Sequence, residues 1–242
     1  MTTARPAFYA LAPGGWRDAV TLLHPPYTLW HLSYVAIGAA IAPTFDAAIL
    51  GWTALAFLLA LGVAAHALDE LHGRPLQTTL NDSTLVALAV AAVAGAAAIG
   101  IAIAVRDDLW LLLFVAVGCL LVAAYNLELF GGFLHGDIQF ALAWGAFPVL
   151  TAYFASAHKL GAAAVAAAVA AAFLSLAQRV LSSQVRDVRR RATAVRGTLE
   201  WSDGTATALD AGALTKSAES ALQLLCVAIV LLAVALVLVR VT

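Results

Sequence analysis

Charge is what this 242-residue chain has least of: Asp, Glu, Lys and Arg make up 11% of it, against 63% apolar residues. A soluble domain of this length cannot bury so large an apolar fraction, so the soluble globular classes are excluded. With a formal net charge of −1, the chain also lacks the basic excess that nucleic acid binding calls for, and no nucleic-acid partner is expected. Cysteine is scarce as well. Cys119 and Cys226 both fall inside apolar stretches, without the spacing of a disulfide framework or a thiolate metal site. The alternation of β-barrel strands is missing, which leaves helices as the spanning element. The first 26 residues hold no continuous apolar core and are broken by Pro6, Pro13, Gly14 and Gly15, so no cleavable signal is expected there.

What is present is a series of apolar runs. The sequence predicts an all-α integral membrane protein with about seven transmembrane helices, over 28–43, 47–68, 84–105, 109–126, 138–157, 160–181 and 218–241. Each is near the ~20 residues that cross a bilayer core. Residues 1–26 read as an N-terminal cap and 27–242 as one transmembrane domain, with functional loops over 66–83 and 178–217. Ala162–Ala172 is built of small residues that let helices approach closely, which places that helix inside the bundle unless the run is mere low complexity. Trp16, Trp30, Trp110, Trp144 and Trp201 fall near span ends, where indole rings suit the headgroup layer.

Seven spans put ten of the thirteen basic residues on the face of the N-terminus; Arg106, Lys159 and Arg240 lie opposite. Basic residues stay inside, so a cytoplasmic N-terminus, an outer C-terminus and a location in the cytoplasmic membrane are expected. Eleven of the fourteen acidic residues share that cytoplasmic face, which is therefore close to charge balance rather than a polybasic patch for anionic lipid.

Those charges concentrate in two loops, His66-Ala-Leu-Asp69-Glu70-Leu-His72-Gly-Arg74-Pro75-Leu76 and Arg186-Asp187-Val-Arg189-Arg190-Arg191. In a helix, His66 shares a face with Asp69 and Glu70, three and four residues on, so the three side chains can hold one divalent ion. His72 joins them if the helix unwinds at Gly73; otherwise these residues satisfy backbone and interfacial water. Arg186 and Arg190 admit two roles, topological anchors or a bidentate clamp on phosphate oxygens. Tyr125 and Asn126 end the fourth span on the same face as the two loops and are candidate substrate contacts. Asn81-Asp82-Ser83-Thr84 reads as a helix cap, with Asp82 or Ser83 accepting from the first amides. Gly131-Gly132 reads as a turn.

The order of these features resembles the UbiA superfamily of intramembrane prenyltransferases, whose two aspartate-rich motifs follow the second and sixth helices. Leu23-His24-Pro25-Pro26-Tyr27 resembles the start of that family's first helix. Arg74-Pro75-Leu76 resembles the R-P-L after its first motif, Tyr125-Asn126-Leu127 its tyrosine after helix four, and Arg186-Asp187-Val188 its R-D-I. The resemblance covers about residues 20–240. It implies transfer or cyclisation of an isoprenyl chain from its diphosphate, with a hydrophobic acceptor or lipid as second partner and Mg²⁺ as cofactor. It also implies roles. Asp69 and Asp187 carry the metal-diphosphate contact, His66 and Glu70 assist as metal ligands, and Arg74, Arg186 and Arg190 bind phosphate oxygens. The sequence departs from the pattern at Gly73, in place of a third aspartate, and at Arg191, in place of the closing aspartate of the second motif. The family has nine helices where seven are counted, so a second subunit, lipid or a smaller cavity must account for the missing wall. The alternative is a degenerate member of the fold that binds a lipid or a partner enzyme without catalysis. A transporter is disfavoured by span interiors that hold almost no polar groups.

Overall fold

The computed structural model describes residues 5–242. Its helices, in chain order, are α1 (Trp16–Leu22), α2 (Pro25–Ala40), α3 (Ala47–Leu71), α4 (Asp82–Arg106), α5 (Leu111–Asn126), α6 (Asp137–Ala157), α7 (Ala162–Arg191) and α8 (Ala211–Val241). Five of them, α3, α4, α6, α7 and α8, are long and apolar enough to cross a membrane. The other two expected spans are the 16-residue helices α2 and α5, about 24 Å of helix each. An antiparallel hairpin not foreseen in the sequence, β1 (Gly197–Glu200) with β2 (Ala206–Leu209), links α7 to α8.

The helix starts follow local chemistry. Pro25 and Pro26 open α2, where a missing N–H costs nothing. The side chains of Asp46, Asn81 and Asp210 cap α3, α4 and α8 by accepting from Ala48 and Ile49, Thr84, and Ala213 amides respectively. The cap of α4 is thus Asn81; Asp82, expected in that role, pairs instead with Arg74.

Helix α6 is the most enclosed span, 61% buried, and packs against α2, α3, α5 and α7. Two glycines permit this. A Cβ at Gly38 would collide with the Val149 carbonyl, and one at Gly145 would lie 2.6 Å from Ala171 O. Trp30, Tyr34, Val149, Ala171 and Cys226 form the core where α2, α6, α7 and α8 meet. The Ala-rich α7 is not an interior helix: Ala164, Ala168, Ala171 and Ser175 are buried, while Val165, Val169, Phe173 and Val180 are exposed. Small residues there bring one face close to α6, and the larger side chains face outward. Trp30 and Trp144 are buried against neighbouring helices.

Three stretches within these helices widen to π-helical hydrogen bonding: Leu58–Ala65 in α3, Ala141–Ala146 in α6 and Asp187–Arg191 at the end of α7. Such wide turns recur at functional sites. All three supply side chains to one cavity.

Candidate functional site: a polar cavity at the end of the bundle

A cavity of about 270 Å³ lies among the start of α2 and the ends of α3, α5 and α7, with residues Pro6 to Tyr9 along its rim. The rim segment is held by arginines of the α7 end, whose Arg189 and Arg190 side chains donate to the Arg5 and Pro6 carbonyls. Leu61 and Trp144 form its inner limit. The same two side chains also line a second, predominantly apolar cavity of about 90 Å³, walled by Phe57, Phe114, Val122 and Phe147. A polar chamber and a greasy one therefore meet at two residues.

Four of the six histidines line the polar chamber. His31 Nδ1 donates to the Trp144 carbonyl at 2.8 Å, at the end of the π-helical stretch of α6 and just before Pro148, which has no N–H. His66 Nδ1 donates to Gly62 O at 3.1 Å and His135 Nδ1 to Tyr125 O at 2.9 Å. With Nδ1 the donor, Nε2 of each ring is left as the acceptor in the neutral tautomer. The His24 ring stacks on His66 with centroids 3.9 Å apart, and its Nδ1 lies 2.8 Å from the Tyr9 hydroxyl. Burial, with the nearby His66, Arg190 and Arg186, holds His24 well below its ordinary range, and burial pushes the Tyr9 phenol up.

The residues singled out in the sequence divide into two groups. Asp69, His66, Tyr125, Asn126, Arg186 and Arg190 line the cavity. Arg186 donates to the Ser182 and Ser183 hydroxyls, and neither it nor Arg190 has a carboxylate partner among the described residues. Tyr125 accepts at its hydroxyl from Arg179 at 3.0 Å and stacks on His135; Asn126 donates back to Val122 O. Arg179, which also pairs with Asp137, was missed in the sequence because it sits mid-run in an apolar helix. His31 and Tyr27 were missed too, although Tyr27, His31 and Tyr34 recur at the spacing of one helix face.

Glu70, Arg74 and Asp187 belong to the second group. Glu70 is fully buried and is absent from the cavity lining; its carboxylate accepts from the Leu76 and Thr78 amides and the Thr78 hydroxyl, all at 2.9 Å. As the helix turns, Glu70 lies about 100° round from Asp69, which sends the two carboxylates to different places. Arg74 pairs with Asp82 and the Leu80 carbonyl. Asp187 is exposed and pairs with Arg191 at 3.0 Å. Asp18, buried and unremarked in the sequence, ties the same loop to α1 by accepting from Thr79 and Gly14. Burial pushes Asp18 up, but those hydrogen bonds outweigh it and hold the carboxyl below its ordinary range.

Asp69 is therefore the one carboxylate in the cavity lining among the described residues, alongside three guanidinium groups. No three His, Cys, Asp or Glu side chains among the described residues group to hold a metal ion. This donor set does not fit the two-ion Mg²⁺ cluster that paired aspartate motifs would hold; it fits an anion. No family model, curated protein or solved structure matches this chain.

Proposed function

We infer that this protein binds an amphiphile with an anionic head and an apolar tail, and that an isoprenyl diphosphate is the ligand that suits it best. One observation carries the reading: Arg186 and Arg190, without carboxylate partners, face the same cavity as Asp69, and that cavity meets an apolar chamber at Leu61 and Trp144. Arg186 is half-buried and Arg190 stays exposed at the mouth, and their guanidinium forks match phosphate oxygens. In this reading the chain is a divergent UbiA-like protein of seven spans with a cytoplasmic N-terminus, in the cytoplasmic membrane. Arg186 and Arg190 take the diphosphate, Tyr125 and Asn126 line its approach, and Asp69 faces the reacting carbon. Prenyl transfer to a hydrophobic acceptor, or cyclisation, is the reaction class. Positive charge comes from arginine, so binding does not depend on Mg²⁺.

The displacement of Glu70 and Asp187 from the cavity favours a second reading, in which the ligand is held but not ionised. One experiment addresses both. Geranylgeranyl diphosphate is titrated into the protein in nanodiscs, with Mg²⁺ and with EDTA, and release of free diphosphate is followed. Binding in EDTA that Arg186→Met weakens supports the anion site; diphosphate release lost in Asp69→Asn supports catalysis. Binding without release selects the second reading. No binding under either condition rejects the diphosphate assignment.

A further inference from the structure

Residues 5–9 cross the mouth of the polar cavity outside any helix or strand, and Pro6 to Tyr9 line it beside Arg186 and Arg190. Their contacts imitate those of an anionic ligand. The Arg5 carbonyl accepts from Arg189 at 3.3 Å, and the Pro6 carbonyl from Arg190 Nε at 3.4 Å. Peptide oxygens thus sit on guanidinium groups at the end of α7, where phosphate oxygens would sit. The Phe8 and Tyr9 rings follow them into the mouth, edge-on to Tyr27 with centroids 6.5 and 5.6 Å from its own.

This strap is lightly held. Both arginine contacts exceed the ordinary span of about 2.7–3.2 Å for N–H···O, and of the five residues only Ala7 is buried as a whole. The shortest tie is the Tyr9 hydroxyl, 2.8 Å from His24 Nδ1. Past it, the chain is secured where the Leu11 amide donates to Thr21 Oγ1 at 3.0 Å. Tyr9 also lies against the His24 ring, with centroids 5.4 Å apart, and His24 Nε2 is left buried with no hydrogen-bond partner. An unpaired buried polar atom opposes the docked arrangement, and lifting the strap uncovers that ring.

We propose that the Arg5–Tyr9 strap is an autoinhibitory pseudo-ligand: docked, it occupies the anion site at the cavity mouth, and an anionic head displaces it from Arg190. The direction of the exchange follows from charge. An anion engages a guanidinium fork through two bonds and with opposite charge, whereas each strap carbonyl offers one neutral oxygen. The ligand therefore takes the arginine at saturation. Until then the docked strap lowers the apparent affinity in proportion to the fraction of molecules it closes. The inference rests on the reading of this cavity as an anionic-head site and adds its regulation.

The test uses the full-length protein in nanodiscs, with geranylgeranyl diphosphate as the anion and chymotrypsin as the probe of the strap. Cleavage after Phe8 or Tyr9, followed by mass spectrometry, requires the strap to leave the mouth. Saturating ligand is expected to raise wild-type cleavage at those two bonds at least about three-fold. Tyr9→Phe keeps the ring and removes the hydroxyl tie, so it is expected to bind the diphosphate about two- to ten-fold more tightly than wild type, the weight of one hydrogen bond. Phe8→Ala is expected to act in the same direction. Cleavage that slows with ligand describes a lid closing over it and overturns the pseudo-ligand, as does affinity weakened or unchanged in both variants. Diphosphate binding with cleavage unchanged overturns the strap alone and leaves the anion site standing. Absence of binding in wild type and in both variants overturns the diphosphate assignment and the strap with it.

Discussion

The two charged loops look interchangeable in the sequence, each with acidic and basic residues after a long apolar helix, yet they do opposite work. After α3, every charge but Asp69 goes to architecture: Glu70 and, from α1, Asp18 accept backbone amides across the 76–79 segment, and Arg74 closes on Asp82. At the end of α7, the anionic members are drawn off instead, with Asp187 to Arg191 and Glu219 to Arg189. Arg186 and Arg190 remain for the cavity. A carboxylate that accepts three hydrogen bonds is a girder; a guanidinium in no ion-pair contact beside a cavity is a receptor.

That contrast can be broken from either side. The largest effect is expected at Glu70. Glu70→Ala leaves the Leu76 and Thr78 donors buried without an acceptor, a loss of about 2–4 kcal/mol, read as a lower unfolding midpoint in detergent. Glu70→Gln retains part of the network and should fall between Ala and wild type. Next comes Arg186→Met, which should weaken geranylgeranyl diphosphate binding about 10- to 100-fold, the weight of a charge-assisted contact, while the unfolding midpoint stays near wild type because no native ion pair is lost. If Arg186→Met instead unfolds the protein and leaves binding intact, the roles of the two loops are reversed.

Acid should discriminate the rim of the cavity from its walls. His24 is held below its ordinary value of 6.5, so the unfolded chain binds the extra proton and stability falls as pH drops below about 6.5, until the folded group itself titrates. Asp18, held below 3.8, contributes stability that is present above 3.8 and disappears as pH falls through its lower folded value. Proteolysis or hydrogen exchange of the 6–24 segment across pH 7 to 3 should show two successive losses of protection. His24→Phe removes the upper one; persistence of that step in the variant would assign it elsewhere. The smallest effects are expected at exposed pairs. Asp187→Ala should alter diphosphate binding less than two-fold and stability within about 0.5 kcal/mol, and Arg74→Ala should cost no more than about 1 kcal/mol, since Asp82 is largely exposed.

Much of this architecture was legible in advance, for reasons that differ by element. The apolar runs declare helices because a bilayer forces the backbone to satisfy itself, and the positions of α3, α4 and α8 follow directly. Asp69 and Arg186 were marked by charge beside a long apolar run. Three features escaped. Glu70 and Asp69 are adjacent, and only the helical turn sends one to the cavity and the other into a loop. The histidines of the cavity are spread from residue 24 to residue 135, too far apart for any local pattern to join. Trp144 read as an interface residue, and only the fold brings its carbonyl to the His31 ring.

By itself the sequence determined that this chain is helical and built of apolar spans, because composition alone fixes how much surface must leave water, and it determined where charge interrupts those spans. Which charges are structural and which are receptive was decided by tertiary structure. The same carboxylate or guanidinium serves either role according to whether amides, counter-ions or an open cavity lie within hydrogen-bonding reach, and that reach is set by helices brought together from distant parts of the chain.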